Sequence, residues 1–182
     1  MLLGGSMKNM RIGLIGALLA AAVPAAYGAT ITATVNKIDA NGVGGAIGTL
    51  TLEDTSGGLK ITPDLSELPP GNHGFHLHTN GDCGPGEQNG NKVAGLAAGG
   101  HFDPAKTGKH LGPESSEGHK GDLPVLVVDA NGKATAPMVA PHLTVAEAEG
   151  HAIVIHAGGD NYSDTPAPLG GGGARIACAV VK

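Results

Sequence analysis

The chain has 182 residues, with 15% charged and 2% aromatic side chains, no Trp and 32 Gly. That length suits one domain of ordinary size, and the composition excludes a coiled coil or a disordered chain. Formal net charge is −5 and no basic run occurs, which argues against nucleic acid or an anionic membrane as partner.

In chain order, the first segment reads as a targeting signal. "MKNMR" carries Lys8 and Arg11, "IGLIGALLAAAV" is a short apolar run, and "AYGA" offers small residues around Gly28. The expectation is a signal peptide over residues 1–28, removed after Gly28, and a mature domain over residues 29–182. The run is short for a membrane span, and no Cys stands near the cleavage point to take a lipid. Loss of Lys8 and Arg11 leaves nine basic residues against sixteen acidic ones, a net charge of about −7. Export places the chain in the periplasm, or outside a cell that lacks one.

Eight alternating stretches of strand length follow: 30–39, 47–54, 59–65, 74–79, 123–130, 133–140, 151–156 and 174–181. Turn signals such as Asn131-Gly132 separate most of them. This is the pattern of an all-β antiparallel sandwich or barrel. One short helix is expected near residue 145, where Thr144 and Glu147 fit a capping box. Two stretches are not strand-like: residues 80–122, and "AGGDNYSDTPAPLGGGG" at 157–173. Long irregular loops in a compact domain are commonly functional. An exported chain permits disulfides, and Cys83 with Cys178 could close a loop of roughly a hundred residues. Two reduced or metal-binding thiols are the alternative, and the absence of CxxC favours the bridge.

The histidines concentrate in and beside the two loops. His76 and His78, two apart on one strand, share a face. His101, His110 and His119 are spaced by nine, and Asp122 lies three beyond. Nine is neither a helical nor a strand period, so a loop must wrap these groups around something. His156 ends an apolar strand and opens the second loop. Buried imidazoles and a carboxylate need partners. A divalent metal supplies one: three His with one Asp suit zinc, and an all-His set suits copper or zinc. Seven candidates are too many for one tetrahedral site and one too few for two, so two adjacent metals sharing a ligand would resolve the count. His73 lies on the opposite strand face with Phe75 and Leu77 and reads as structural, while His142 and His151 read as surface or packing residues.

The segments "GFHLHTNGDC", "GGHFDP", "GKHLGPESSEGHKGDLP", "HAGGDNYSD" and "GGGGARIACAVV" resemble the copper–zinc superoxide dismutases of the bacterial exported branch, over nearly all of residues 30–181. The resemblance implies an eight-stranded Greek-key β-barrel with two long functional loops, and one copper and one zinc ion per subunit. It implies that His76, His78, His101 and His156 bind copper. His101, His110, His119 and Asp122 would bind zinc, with His101 shared. Arg175 matches an anion-guiding arginine, Asp160 a carboxylate that hydrogen-bonds ligands of both metals, and Cys83–Cys178 an intrachain disulfide.

The implied activity is superoxide dismutation by Cu(II)/Cu(I) cycling, a protection against extracytoplasmic oxidative stress. His101 would carry a proton, Arg175 would guide the anionic substrate, and the chain would act as a monomer or a homodimer. Lys106, Lys109 and Lys120 are candidates for further steering. The rival class is a non-enzymatic periplasmic copper or zinc store. A metallohydrolase is weaker, because no HExxH or similar motif is present.

Overall fold

The computed structural model describes Met1 and residues 28–182. The expected leader lies outside the described residues except at Met1 and Gly28. The strands are β1 (Thr30–Asp39), β2 (Gly42–Thr55), β3 (Gly58–Leu65), β4 (Gly71–His73), β5 (Phe75–His78), β6 (Gly86–Gln88), β7 (Asn91–Val93), β8 (Leu126–Val128), β9 (Met138–Ala140), β10 (Ala152–His156) and β11 (Arg175–Val180). Each of the eight expected strands has its counterpart. The three additions are short: β4 splits from β5 at Gly74, and β6–β7 is a hairpin inside the first long loop. The helix α1 spans Val145–Ala148. Thr144 Oγ1 accepts the Glu147 N–H (3.3 Å) as the expected N-cap, and donates to Glu147 Oε2 (3.0 Å), so Glu147 bonds the hydroxyl and not the Thr144 N–H of a full capping box.

The ladder runs β5-β10-β11-β1-β2-β3-β9, all antiparallel, and β4 pairs with β8. β4 and β8 form a separate two-stranded ladder: β4 leads directly into β5 at one end of the seven-stranded order, and β8 leads through the Asp129–Lys133 turn to β9 at the other. The sheet therefore curls into a half-barrel. The steps from β3 to β4 and from β9 to β10 jump between its ends, as Greek-key connections do.

Alternation decides the faces. In β3, Leu59, Ile61 and Leu65 are buried, while Asp64 between them is exposed. These residues join Leu50, Leu52, Phe75, Leu77, Ile153 and Ile155 in the main core. β5 and β10 are buried along their whole length, so both faces of each are covered. Beneath the barrel wall a second cluster forms, in which Ala152, Val154 and Ile38 pack on Cys83, Cys178 and Ala98. This is the outer face of the sheet, roofed by the start of the first long loop.

The roof is stapled. Cys83 and Cys178 form a disulfide with Cα atoms 5.7 Å apart and a sequence separation of 95. Beside it the Thr79 and Asn80 N–H groups donate to the Gly100 and Ala98 carbonyls, both at 2.9 Å. The bridge closes a long loop in the unfolded chain, for which chain entropy gives about 4–5 kcal/mol. Reduction should therefore lower the melting temperature by about 10–20 °C for a domain of this size. In hydrogen exchange the Thr79 and Asn80 amides should open earlier than the β2–β3 ladder. Unchanged melting and exchange would show that the bridge does not hold the roof.

Candidate metal centre

The site is assembled on β5, whose free edge recruits the first long loop. One edge of β5 pairs with β10. On the other, Leu77 accepts from the Phe102 N–H (2.8 Å) and donates to the Gly121 carbonyl (2.9 Å), and the Gly121 N–H returns to the Phe102 carbonyl (2.8 Å). His78 thereby faces His101, and His76 faces Asp122, as isolated antiparallel bridges. Gly121 allows the close approach, because a Cβ there would lie 2.3 Å from the Leu77 carbonyl oxygen. His156 arrives from the adjacent end of β10. Its N–H donates to the Gly74 carbonyl at 2.8 Å.

All seven expected candidates come together. The ligand atoms of His76, His78, His101 and His156 lie within 4.8 Å of one another, and so do those of His101, His110, His119 and Asp122. His101 belongs to both sets. Each of the seven is buried. The 80–122 and 157–173 stretches are the loops that close over them.

Hydrogen bonds fix which nitrogen of each ring faces inward. His78 Nδ1 pairs with the Gly99 carbonyl (2.9 Å) and His156 Nδ1 with the Gly173 carbonyl (3.1 Å). Asp160 takes His76 Nε2 on Oδ2 (2.6 Å) and His110 Nε2 on Oδ1 (2.8 Å), so this carboxylate spans the two sets. The opposite nitrogens are then His78 Nε2, His156 Nε2, His76 Nδ1 and His110 Nδ1. These four, with His119 Nδ1, are buried and have no hydrogen-bond partner. Asp122 completes the second set. Its Oδ1 lies 3.0 Å from His101 Nδ1, 3.0 Å from His110 Nδ1 and 3.3 Å from His119 Nδ1. Its Oδ2 accepts the N–H groups of Leu111 (3.1 Å) and Gly112 (3.3 Å).

An unpartnered buried polar atom costs about 1–3 kcal/mol. Five of them converging beside a carboxylate fit cations. Four nitrogens suit copper, and three nitrogens with one carboxylate oxygen suit zinc. The residues present therefore fit both metals.

The electrostatics agree. Burial pushes the His76 imidazolium down to about 3, against the pull of Asp160, and that of His156 down to about 4. His78 is lowered by the same burial. These rings are neutral at physiological pH, with lone pairs ready for a metal. His110 goes the other way. Burial opposes its charge, but contacts with Asp122 and Asp160 outweigh burial and raise it to about 9. Both carboxylates are held below the usual range by the histidines around them, again against burial.

Arg175 sits at the first residue of β11, opposite His156 across a β-bulge. Its guanidinium donates to the Gly95 carbonyl (2.5 Å) and the Gly99 carbonyl (2.7 Å), so Gly99 serves both Arg175 and His78. Of the three lysines considered for steering, Lys120 is paired with Glu147 on α1 and is not a free cation. Lys106 and Lys109 are exposed. His73 is structural as expected. Its Nδ1 lies 2.7 Å from the His156 carbonyl and its Nε2 2.8 Å from that of Pro69. His142 and His151 contact the carbonyls of Glu114 and Thr79, away from both sets.

Two contributors were missed in the sequence. Asp164 accepts the His110 N–H at 3.0 Å. Gly170 has φ +71°, and a Cβ there would lie 2.0 Å from Asp160 Oδ1. The Gly170–Gly173 run was a visible signal for such an approach.

The chain matches a family model described as copper/zinc superoxide dismutase over residues 46–181. It is 52% identical over 177 residues to "Superoxide dismutase [Cu-Zn] 2" of Salmonella typhimurium, covering 97% of this chain and all of the relative. The fold is similar to that of the Cu/Zn superoxide dismutase from Brucella abortus, with TM-score 0.83 and 48% identity over 85% of this chain and 100% of that one. The monomeric copper, zinc superoxide dismutase from Salmonella enterica gives TM-score 0.76 and 55% identity, again over 85% of this chain and 100% of that one. With the family model spanning β3 to β11 and both loops, and with relatives half identical over nearly the whole chain, the chain belongs to the copper/zinc superoxide dismutase family.

Proposed function

We infer that the chain converts two superoxide anions and two protons to O₂ and hydrogen peroxide, with copper in the His76, His78, His101 and His156 set and zinc in the His101, His110, His119 and Asp122 set. The observation that carries this reading is the membership of His101 in both sets, among five buried ring nitrogens with no partner. When bound, copper supplies one-electron chemistry, and zinc, which has no redox change available, supplies a fixed charge.

The protein's residues supply the rest. The Gly99 and Gly173 carbonyls and Asp160 hold the rings of His78, His156 and His76 in one tautomer and orientation. His101 Nδ1 is engaged on the Asp122 side, which leaves Nε2 as the ring position that can hold a proton for the product. A guanidinium has five N–H donors. Two carbonyls fix that of Arg175, and its remaining donors would receive an anion. With the mature charge near −7, this local cation has to overcome a repulsive surface.

The same reading takes residues 1–28 as a leader and residues 29–182 as the mature domain, acting in the periplasm. The likeness to the Salmonella enterica protein, whose structure is described as monomeric, supports a monomer over the homodimer.

Two variants test the partition of the metals. His78→Ala should abolish turnover and copper retention while zinc content stays near one per chain. Asp122→Ala should loosen zinc by at least tenfold, because it removes the only anionic member of the set. Metal analysis after mild chelation checks both. Equal loss of both metals in either variant would contradict two sets with separate roles.

Arg175→Glu should slow superoxide decay by about 10–10³-fold at matched copper content, the range over which electrostatic steering acts. Because Arg175 shares the Gly99 carbonyl with His78, its replacement mixes steering with positioning. The salt series separates them. Wild-type rate should fall as salt screens the attraction, and the variant should lose that slope. A variant as fast as wild type, with the same slope, would remove Arg175 from the mechanism and favour the metal-storage reading.

A further inference from the structure

The second long loop reaches the first through one aromatic residue that the reaction does not itself require. Tyr162 is one of only four aromatics in the chain. Its backbone has φ +55°, a left-handed conformation uncommon for a bulky residue and held only where surroundings enforce it. Three contacts enforce it here. The Tyr162 N–H donates to Asp160 Oδ1 at 2.7 Å, the same oxygen that takes His110 Nε2. Its hydroxyl accepts the Val125 N–H at 2.9 Å, beyond Asp122 on the first loop. Its ring rests on the backbone of Gly112, where an added Cβ would lie 2.7 Å from the ring. Gly112 is in turn one of the two N–H donors that hold Asp122 Oδ2.

Tyr162 thus touches the supports of both carboxylates. Through its N–H it limits where Asp160 can offer an oxygen to His110. Through its ring it presses the Leu111–Gly112 backbone toward Asp122, leaving Oδ1 to face His101, His110 and His119. Its hydroxyl anchors this arrangement to the chain leading into β8.

We propose that Tyr162 is a positioning residue that sets the relative placement of Asp122 and Asp160 and thereby the geometry of the His101, His110, His119 and Asp122 set. The proposal rests on the zinc assignment made above. Nothing in it requires contact with superoxide. Its effect falls first on the second set and reaches the first only through His101 and through His76, which Asp160 Oδ2 holds; His78 and His156 stay in place, since their orienting carbonyls belong to Gly99 and Gly173.

The test uses protein reconstituted with copper, and with Co(II) as the probe in place of zinc, because the visible bands of Co(II) report its coordination geometry. Tyr162→Phe keeps the ring and loses the acceptor for Val125. Tyr162→Ala loses both. Release of Co(II) to a chelator should quicken about tenfold in Tyr162→Phe and by up to about a hundredfold in Tyr162→Ala, the range found for groups that orient metal ligands. The Co(II) bands should shift in the same order, and by more than the Cu(II) spectrum, which Tyr162 reaches only through His76 and the shared His101. Variants that melt earlier but keep wild-type Co(II) bands and release rate would make Tyr162 a packing residue and overturn the proposal. A wild-type protein that takes no Co(II) in tetrahedral form, and matches Asp122→Ala in this, would instead overturn the zinc assignment.

Discussion

Five buried imidazole nitrogens form no hydrogen bond and converge on one region, two of them, on His110 and His119, facing Asp122 Oδ1. This arrangement is the constraint on which the rest of the structure depends. A desolvated lone pair is costly, and several aimed at a common point are worse than the sum of single orphans unless a cation meets them. The sequence has other ways to bury histidine. His73 is as deep as the others and has carbonyls at both ring nitrogens. The rings of His76, His78, His110 and His156 are each held on the outer nitrogen by a carbonyl or a carboxylate. The same hydrogen bond that fixes the tautomer also exposes the other nitrogen to the centre.

The barrel supplies the rigidity for this. β5 is paired along one edge by β10 and along the other by the long loop, so the two histidines on its outer face do not move relative to His101 and Asp122. The disulfide and the second hydrophobic cluster hold the loop segment before His101 against β11. That segment presents the Gly95 and Gly99 carbonyls, which bind Arg175, and Gly99 also orients His78. Stability and site geometry therefore share parts. The segment that the disulfide pins, Arg175 and His78 are joined through the one Gly99 carbonyl.

Much of this was legible in residue types and spacing. His76 and His78 declared a common face by their separation of two. The count of seven candidates required a shared ligand before any coordinate was known. The eight strands were each marked by alternation or by apolar runs. Other features left weaker traces. The β6–β7 hairpin turns at Asn89 and Gly90, both with positive φ, and the Asn-Gly pair was a turn signal that went unread inside a segment taken as irregular. Lys120 looked free in the sequence, because its partner Glu147 lies on a helix 27 residues away. Backbone carbonyls carry no residue signature, so the roles of Gly99 and Gly173 could come only from the fold. Tyr162 was equally silent, since neither its hydroxyl partner nor its seat on Gly112 is local in sequence.

The central claim is that one ring, His101, is held from both sides. Loading Cu(II) into both sets tests it directly. An imidazole bound through its two nitrogens couples the electron spins of the two ions, whereas ions on separate ligands behave independently. Total copper by chemical analysis is compared with copper visible in the electron paramagnetic resonance spectrum at low temperature. The account predicts two coppers per chain by analysis and a resonance signal far below that amount. Two coppers per chain with a full, uncoupled signal would contradict it.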